Sequence, residues 1–230
     1  MKNYELFFQR LIYHVIDPFI KLLIRLHITP NVVTALGFVG NLVAMWLFVE
    51  AAQDINASNI SHQPSTISHQ LILWAGIIIL AAGLFDMMDG RLARLGKMSS
   101  TFGALWDSTL DRYSELVTLF GICLVFMQAN WFWMCVVTFA AMVGSVMVSY
   151  VRARAEGLGI ACKVGLMQRP ERVVVTALSA IVTGTTGNLW WLAAGMIAIA
   201  VLANITAFWR IAHCYRSLNH KPHSQEEGSL

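Results

Sequence analysis

Charge is scarce in this chain: only 13% of its 230 residues are Asp, Glu, Lys or Arg, while 57% are hydrophobic. With a mean hydropathy of +0.61, a soluble domain of this length is excluded, and no nucleic-acid partner is expected. Cysteine is nearly as sparse. The four residues Cys123, Cys135, Cys162 and Cys214 form no CxxC pair, which argues against a disulfide framework and against a zinc site; they read as packing residues. The histidines show no ligand spacing, and no internal repeat or second domain is visible. Lys and Arg are missing altogether from three connections, residues 50–70, 128–130 and 184–188. The first segment has no small-residue cleavage site and carries Glu5 and Asp17, so it does not read as a secretory leader.

What is present is a series of long apolar runs, at residues 32–49, 71–88, 102–127, 131–151, 173–186 and 189–209. Each is long enough, or nearly so, to cross roughly 30 Å of hydrocarbon as a helix. The fifth is short, and starting it at Pro170 restores its length. All sixteen basic residues lie at or near the ends opposite the three basic-free connections, which predicts cytoplasmic termini. Apolar residues recurring between Arg10, Lys21 and Arg25 predict an amphipathic helix on the inner leaflet over residues 1–27. The expected fold is therefore an all-α integral membrane protein, with six transmembrane helices after that interfacial helix. Its domain would span residues 28–213 and be followed by a polar cytoplasmic tail, 214–230.

The few charges are concentrated. In the second run Asp86, Asp89, Gly90 and Ala93 fall within an arc of about 100°, one face of a helix. In the third, Gly103, Asp107 and Asp111 are spaced i, i+4, i+8 and form a single stripe. A turn of a few residues joins the two runs, so they are expected to be antiparallel neighbours whose four carboxylates converge. Four like charges away from water repel unless something cancels them. A divalent cation does so economically: all-oxygen ligation favours Mg²⁺, Mn²⁺ or Ca²⁺, and four carboxylates can hold two ions. The small residues leave room for a ligand, and Arg94 can supply a fixed charge for a phosphate. The competing reading is internal pairing, with Arg91, Arg94 and Arg112 neutralising three aspartates. A cation transporter is the other alternative, but it predicts polar residues continuing outward, and beyond Glu115 the third run is almost wholly apolar.

The pattern Asp86-x2-Asp89-Gly90-x2-Ala93-Arg94-x8-Gly103-x3-Asp107-x3-Asp111 resembles the signature of the CDP-alcohol phosphotransferase family, eight positions over 26 residues. Ile28-Thr29-Pro30-Asn31, with Thr34 and Gly37, resembles the entry to that family's first span. The resemblance implies a six-helix membrane enzyme that displaces CMP from a CDP-linked lipid such as CDP-diacylglycerol with an alcohol hydroxyl. It implies two divalent ions, Mg²⁺ or Mn²⁺, held by Asp86, Asp89, Asp107 and Asp111, with Asp111 also the general base. It further implies that Asn31, Thr34, Gly90, Ala93, Arg94 and Gly103 accommodate the CDP-lipid. A homodimer in a bacterial inner membrane, surrounded by membrane lipids, with its active site toward the cytoplasm, belongs to the same expectation.

A second charged cluster bears on the acceptor. Ser149-Tyr150-Val151-Arg152-Ala153-Arg154 closes the fourth run, Arg169-Pro170-Glu171-Arg172 opens the fifth, and Arg210 closes the sixth at the same level. Pro170 suits a first helical turn, so Arg169 and Arg172 flank a helix start that already favours an anion. More arginine than one diphosphate needs points to a second phosphate, hence to a small phosphorylated alcohol; positive-inside topology is the plainer account of a basic rim. The stretches "SYVRARAEGLG" and "RPERVV" are similar to the phosphatidylinositol-phosphate synthase branch, which implies inositol 1-phosphate bound by Ser149, Arg152, Arg169, Arg172 and Arg210. That branch carries Lys where this chain has Arg152. Glycerol 3-phosphate or another polyol phosphate is the alternative acceptor.

Overall fold

A computed structural model of the chain describes residues 16–61 and 66–219. Helix α1 is helical over residues 16–25, followed by α2 (Pro30–Ser61), α3 (Ile67–Leu95), α4 (Thr101–Gln128), α5 (Phe132–Gly157), α6 (Arg169–Thr186) and α7 (Trp190–Asn219). No strand occurs among the described residues. The interfacial helix expected over 1–27 is described only from residue 16, and the rest of it lies outside the described residues. Helix α7 runs through Asn219, past the expected domain end at 213, and the tail beyond residue 219 is likewise outside.

Local chemistry sets several boundaries. Ser100 caps α4, its hydroxyl accepting from Gly103 N at 2.9 Å. Pro170 sits in the first turn of α6 with Glu171 beside it, as the shortened fifth run required, and Gly187 ends that helix in the left-handed region at φ 71°. Four helices, α2 (over Pro30–Ser58), α3, α5 and α7, are long and apolar enough to cross a membrane. Helix α4 carries Asp107, Asp111, Arg112 and Glu115, and α6 has only 18 residues with Arg169 and Arg172 at its start, so composition alone does not mark them as spans.

The helices close a ring. Helix α2 packs on α3 and α4, α3 on α6, α6 on α7, α7 on α5, and α5 on α4. Helices α3 and α4, expected to be antiparallel neighbours, barely touch along their length: α2 lies against both, and the space left between their ends nearest the connecting turn is where the carboxylates meet. The short turn forces adjacency at one end only.

The interior is built of small residues such as Ala51, Ala75, Ala177, Ala193 and Ala203, with Phe48 and Phe126, whereas Trp46, Trp74, Phe139 and Phe208 point outward. Small residues let helix backbones approach where lipid supplies no hydrophobic drive to pack. At Gly76 a Cβ would stand 2.8 Å from the Ala177 carbonyl oxygen, so the α3–α6 contact admits no side chain there. On α1, Ile16 and Ile20 pack with Val33 and Leu92, while Lys21 and Arg25 are exposed, an amphipathic face docked on α2 and α3.

Candidate active site

Asp86 and Asp89 lie one turn apart near the end of α3, and Asp107 faces them from α4. One carboxylate oxygen from each lies within 4.8 Å of the others. Asp89 is buried, and the Thr34 hydroxyl donates to its Oδ2 at 2.6 Å while α2 brings that threonine alongside. Asp107 Oδ1 is buried without a hydrogen-bond partner among the described residues. A carboxylate oxygen in that situation is costly unless a cation receives it. Three converging hard-oxygen donors with one oxygen unpartnered fit a divalent ion bound by Asp86, Asp89 and Asp107.

Asp111 stands one turn deeper on α4 and is outside that group of three. Arg169, from the first turn of α6, binds it instead: one guanidinium nitrogen lies 2.7 Å from Asp111 Oδ1 and another 2.6 Å from Asp86 Oδ2. The internal-pairing reading named different arginines. Arg91 pairs with Asp17 at 3.0 Å, Arg94 Nε donates to Gly90 O at 2.9 Å, and an Arg112 guanidinium nitrogen donates to Ser108 O. Arg169, 83 residues from Asp86, does the bridging.

Two cavities flank the carboxylates. One, of about 210 Å³, is lined by Asn31, Thr34, Gly90, Ala93 and Gly103 together with Asp89 and Asp107, and opens past the α3–α4 turn. A Cβ on Gly103 would lie 3.0 Å from Ser100 Oγ and 3.1 Å from Asn31 Oδ1, so glycine there preserves the space. Arg94 is exposed beside it. The second, of about 220 Å³, begins at Asp86, Asp111 and Arg169 and runs between α3 and α6 along Ile79, Leu84 and Val174. Its carboxylate end is charged and the remainder is mostly apolar.

The sequence model of the CDP-alcohol phosphatidyltransferase family matches residues 27–209. The chain belongs to this family. A phosphatidylinositol phosphate synthase of Mycobacteroides abscessus is 30% identical over 207 residues, covering 88% of this chain and 84% of that protein. The crystal structure of the Mycobacterium tuberculosis phosphatidylinositol phosphate synthase with CDP-DAG bound superposes with a TM-score of 0.76 at 25% identity, covering 94% of this chain and 100% of the other. The same enzyme in complex with manganese and citrate gives a TM-score of 0.73, also at 25% identity, over 93% of each chain. Divalent-metal use thus fits both the acidic cluster and the fold.

In this phosphatidyltransferase the arginines expected to serve the acceptor are held in several ways. Arg172 is 1% exposed and forked onto Glu115, Nε to Oε1 at 2.5 Å and a terminal nitrogen to Oε2 at 2.9 Å. Arg210 is also buried, its Nε donating to Val164 O at 2.8 Å and a terminal nitrogen to Val148 O at 2.6 Å. Arg152, within electrostatic reach of Arg210, pairs with Glu156 at 2.9 Å on an exposed turn, and Ser149 is half-buried one turn before it. Arg169 faces the aspartates. The structure thus groups Asn31, Thr34, Gly90, Ala93 and Gly103 around one cavity, leaves Arg94 on the surface, and divides the arginines among separate partners.

Two residues escaped the reading from sequence. Glu115 continues the stripe 103, 107, 111 by one more turn, a signal that was visible but marked only the end of the polar face. Asp17 gives no local signal at all; its arginine is 74 residues away.

Proposed function

We propose that this phosphatidyltransferase moves the phosphatidyl group of CDP-diacylglycerol to inositol 1-phosphate, giving phosphatidylinositol phosphate and CMP. The observation that carries this reading is the pairing of a three-carboxylate cluster with an adjoining glycine-lined cavity, in a chain similar over most of its length to phosphatidylinositol phosphate synthases. Asp86, Asp89 and Asp107, with Asp111, would hold two divalent ions, Mg²⁺ or Mn²⁺, which when bound supply charge stabilisation at the diphosphate. Asn31, Thr34, Gly90, Ala93 and Gly103 would receive the CDP group, with Arg94 at its rim, and the apolar channel along Ile79 and Val174 an acyl chain.

Asp111 takes the proton of the attacking hydroxyl, the new bond forms from that oxygen to the phosphorus bearing the diacylglycerol, and the bond from this phosphorus to the CMP oxygen breaks. Arg169 orients Asp111 through its 2.7 Å contact. The acceptor phosphate is assigned to Ser149, Arg152, Arg169, Arg172 and Arg210. What supports it is that Arg152 and Arg172 both lie within electrostatic reach of Arg210. We assign α2 to α7 as six membrane spans and α1 to the inner leaflet, in a homodimer of a bacterial inner membrane with termini and site toward the cytoplasm. The domain is taken as residues 28–213.

An acceptor panel tests the reading: CMP release from CDP-diacylglycerol is measured with inositol 1-phosphate, glycerol 3-phosphate and free inositol, with and without chelator. Turnover is expected with inositol 1-phosphate and metal only. Equal turnover with free inositol removes the acceptor-phosphate argument; preference for glycerol 3-phosphate moves the enzyme to the other acceptor.

A further inference from the structure

The connection between α5 and α6, residues 158–168, leads directly into Arg169 and Arg172. It is laid along one stripe of α7. Leu166 N and Met167 N both donate to Thr206 Oγ1, at 3.3 and 3.2 Å, and Arg210 Nε donates to Val164 O at 2.8 Å. His213 Nε2 lies 3.2 Å from Ala161 O. At the end of this seam Cys214 Sγ lies 3.9 Å from Cys162 Sγ, inside a small apolar cluster with Ala155, Ile160 and Val164. Residues 206, 210 and 214 recur every four positions, so the thiol contact continues the hydrogen-bonded stripe. The two cysteines are 52 residues apart, and no motif announces them.

We propose that Cys162 and Cys214 form a dithiol modification site, which a small-molecule disulfide oxidises to a disulfide that clamps the α5–α6 connection covalently to α7. The thiolate of Cys214 attacks one sulfur of the oxidant RSSR and expels RS⁻, leaving a mixed disulfide on Cys214. Cys162 then loses its proton to solvent and attacks the Cys214 sulfur, expelling the second RS⁻. The protein gives up two protons and two electrons, and RSSR becomes two RSH. Burial sets this order. Cys214 is partly exposed, whereas Cys162 is fully buried and its thiol is raised above its ordinary pKa by that burial, making it the resolving residue. Closing from 3.9 Å to the roughly 2.05 Å of a disulfide asks for side-chain rotation at the cytoplasmic-side end of α7.

The other two cysteines supply an internal contrast. Cys123 and Cys135 also approach each other across α4 and α5, but in apolar helix beside the opposite, basic-free turn. Their thiols point to backbone carbonyls: Cys135 Sγ lies 3.5 Å from Cys123 O and 3.7 Å from Trp131 O. A water-soluble, charged disulfide does not enter that environment.

The full-length protein in detergent is incubated with oxidised glutathione, its thiols are counted after denaturation, and non-reduced peptides are mapped. Titratable thiols are expected to fall from four to two, with a peptide joining Cys162 to Cys214, and dithiothreitol should restore all four. A Cys123→Ser/Cys135→Ser protein should lose both of its remaining thiols, and Cys162→Ser should stop at a glutathione adduct on Cys214. Four thiols remaining, a lasting Cys214 adduct in the unmodified chain, or a link that joins Cys123 to Cys135 or joins two chains would each overturn the assignment.

Discussion

Breaking the Glu115–Arg172 pair offers a direct measure of what holds α6 to α4. Arg172 is 1% exposed and Glu115 11%, and the fork is completed at 2.5 and 2.9 Å, with Met167 O at 3.3 Å as the remaining partner. Glu115→Gln leaves a buried guanidinium without its anion, and Arg172→Met leaves a buried carboxylate without its cation. Each is expected to cost about 3–5 kcal/mol, the usual penalty for removing one member of a buried pair. Replacing both by Met removes both charges together and should cost far less than the sum. For a chain of this size each kcal/mol lowers Tm by about 2–4 °C, so the single variants should melt roughly 6–20 °C below the parent and the double variant within a few degrees of it. Intrinsic-fluorescence melting in detergent at one fixed scan rate reads this, since such unfolding is governed by rate as well as equilibrium. Additive losses in the double variant, or single losses under about 1 kcal/mol, would refute the claim that the pair is buried and coupled. The same proteins separate the roles of Arg172: an acceptor-binding role predicts that the stable double variant has a higher KM for inositol 1-phosphate with KM for CDP-diacylglycerol unchanged.

Thr34→Val keeps the shape of the side chain but removes the 2.6 Å hydrogen bond to Asp89 Oδ2. Loss of such a supporting contact should weaken Mn²⁺ binding by about 10–100-fold in a direct titration, and unchanged affinity would show that Asp89 needs no positioning. Gly76→Ala sets a Cβ 2.8 Å from the Ala177 carbonyl and should cost about 1–3 kcal/mol, seen as a lower Tm with little change in KM. Gly90→Ala should do the reverse, because the nearest atom to its Cβ is an Arg94 nitrogen 4.0 Å away: Tm holds while KM for CDP-diacylglycerol rises.

Helical period made the carboxylates legible before any coordinates. Residues three and four apart share a face whatever the helix packs against, so Asp86 with Asp89, and Asp107 with Asp111, could be placed together from spacing alone. The apolar runs likewise announced the helices, because lipid demands about twenty apolar residues and internal hydrogen bonds from each crossing. Packing partners were not legible in that way. The short turn made α3 and α4 look like neighbours, yet it constrains only their joined ends, and α2 lies against both.

The sequence by itself determined the helices, the acidic faces and the family to which they belong, since each rests on contacts within one or two turns of chain or on a fixed spacing. Only the tertiary structure decided which cation meets which anion. Arg169 reaches Asp86 and Asp111, Arg172 reaches Glu115, Arg91 reaches Asp17, and Cys162 meets Cys214. These partners lie 52 to 83 residues apart, and nothing in local periodicity ranks one arginine above another for a given carboxylate. The order in which six helices close their ring does that, by bringing the start of α6 over the carboxylates of α3 and α4.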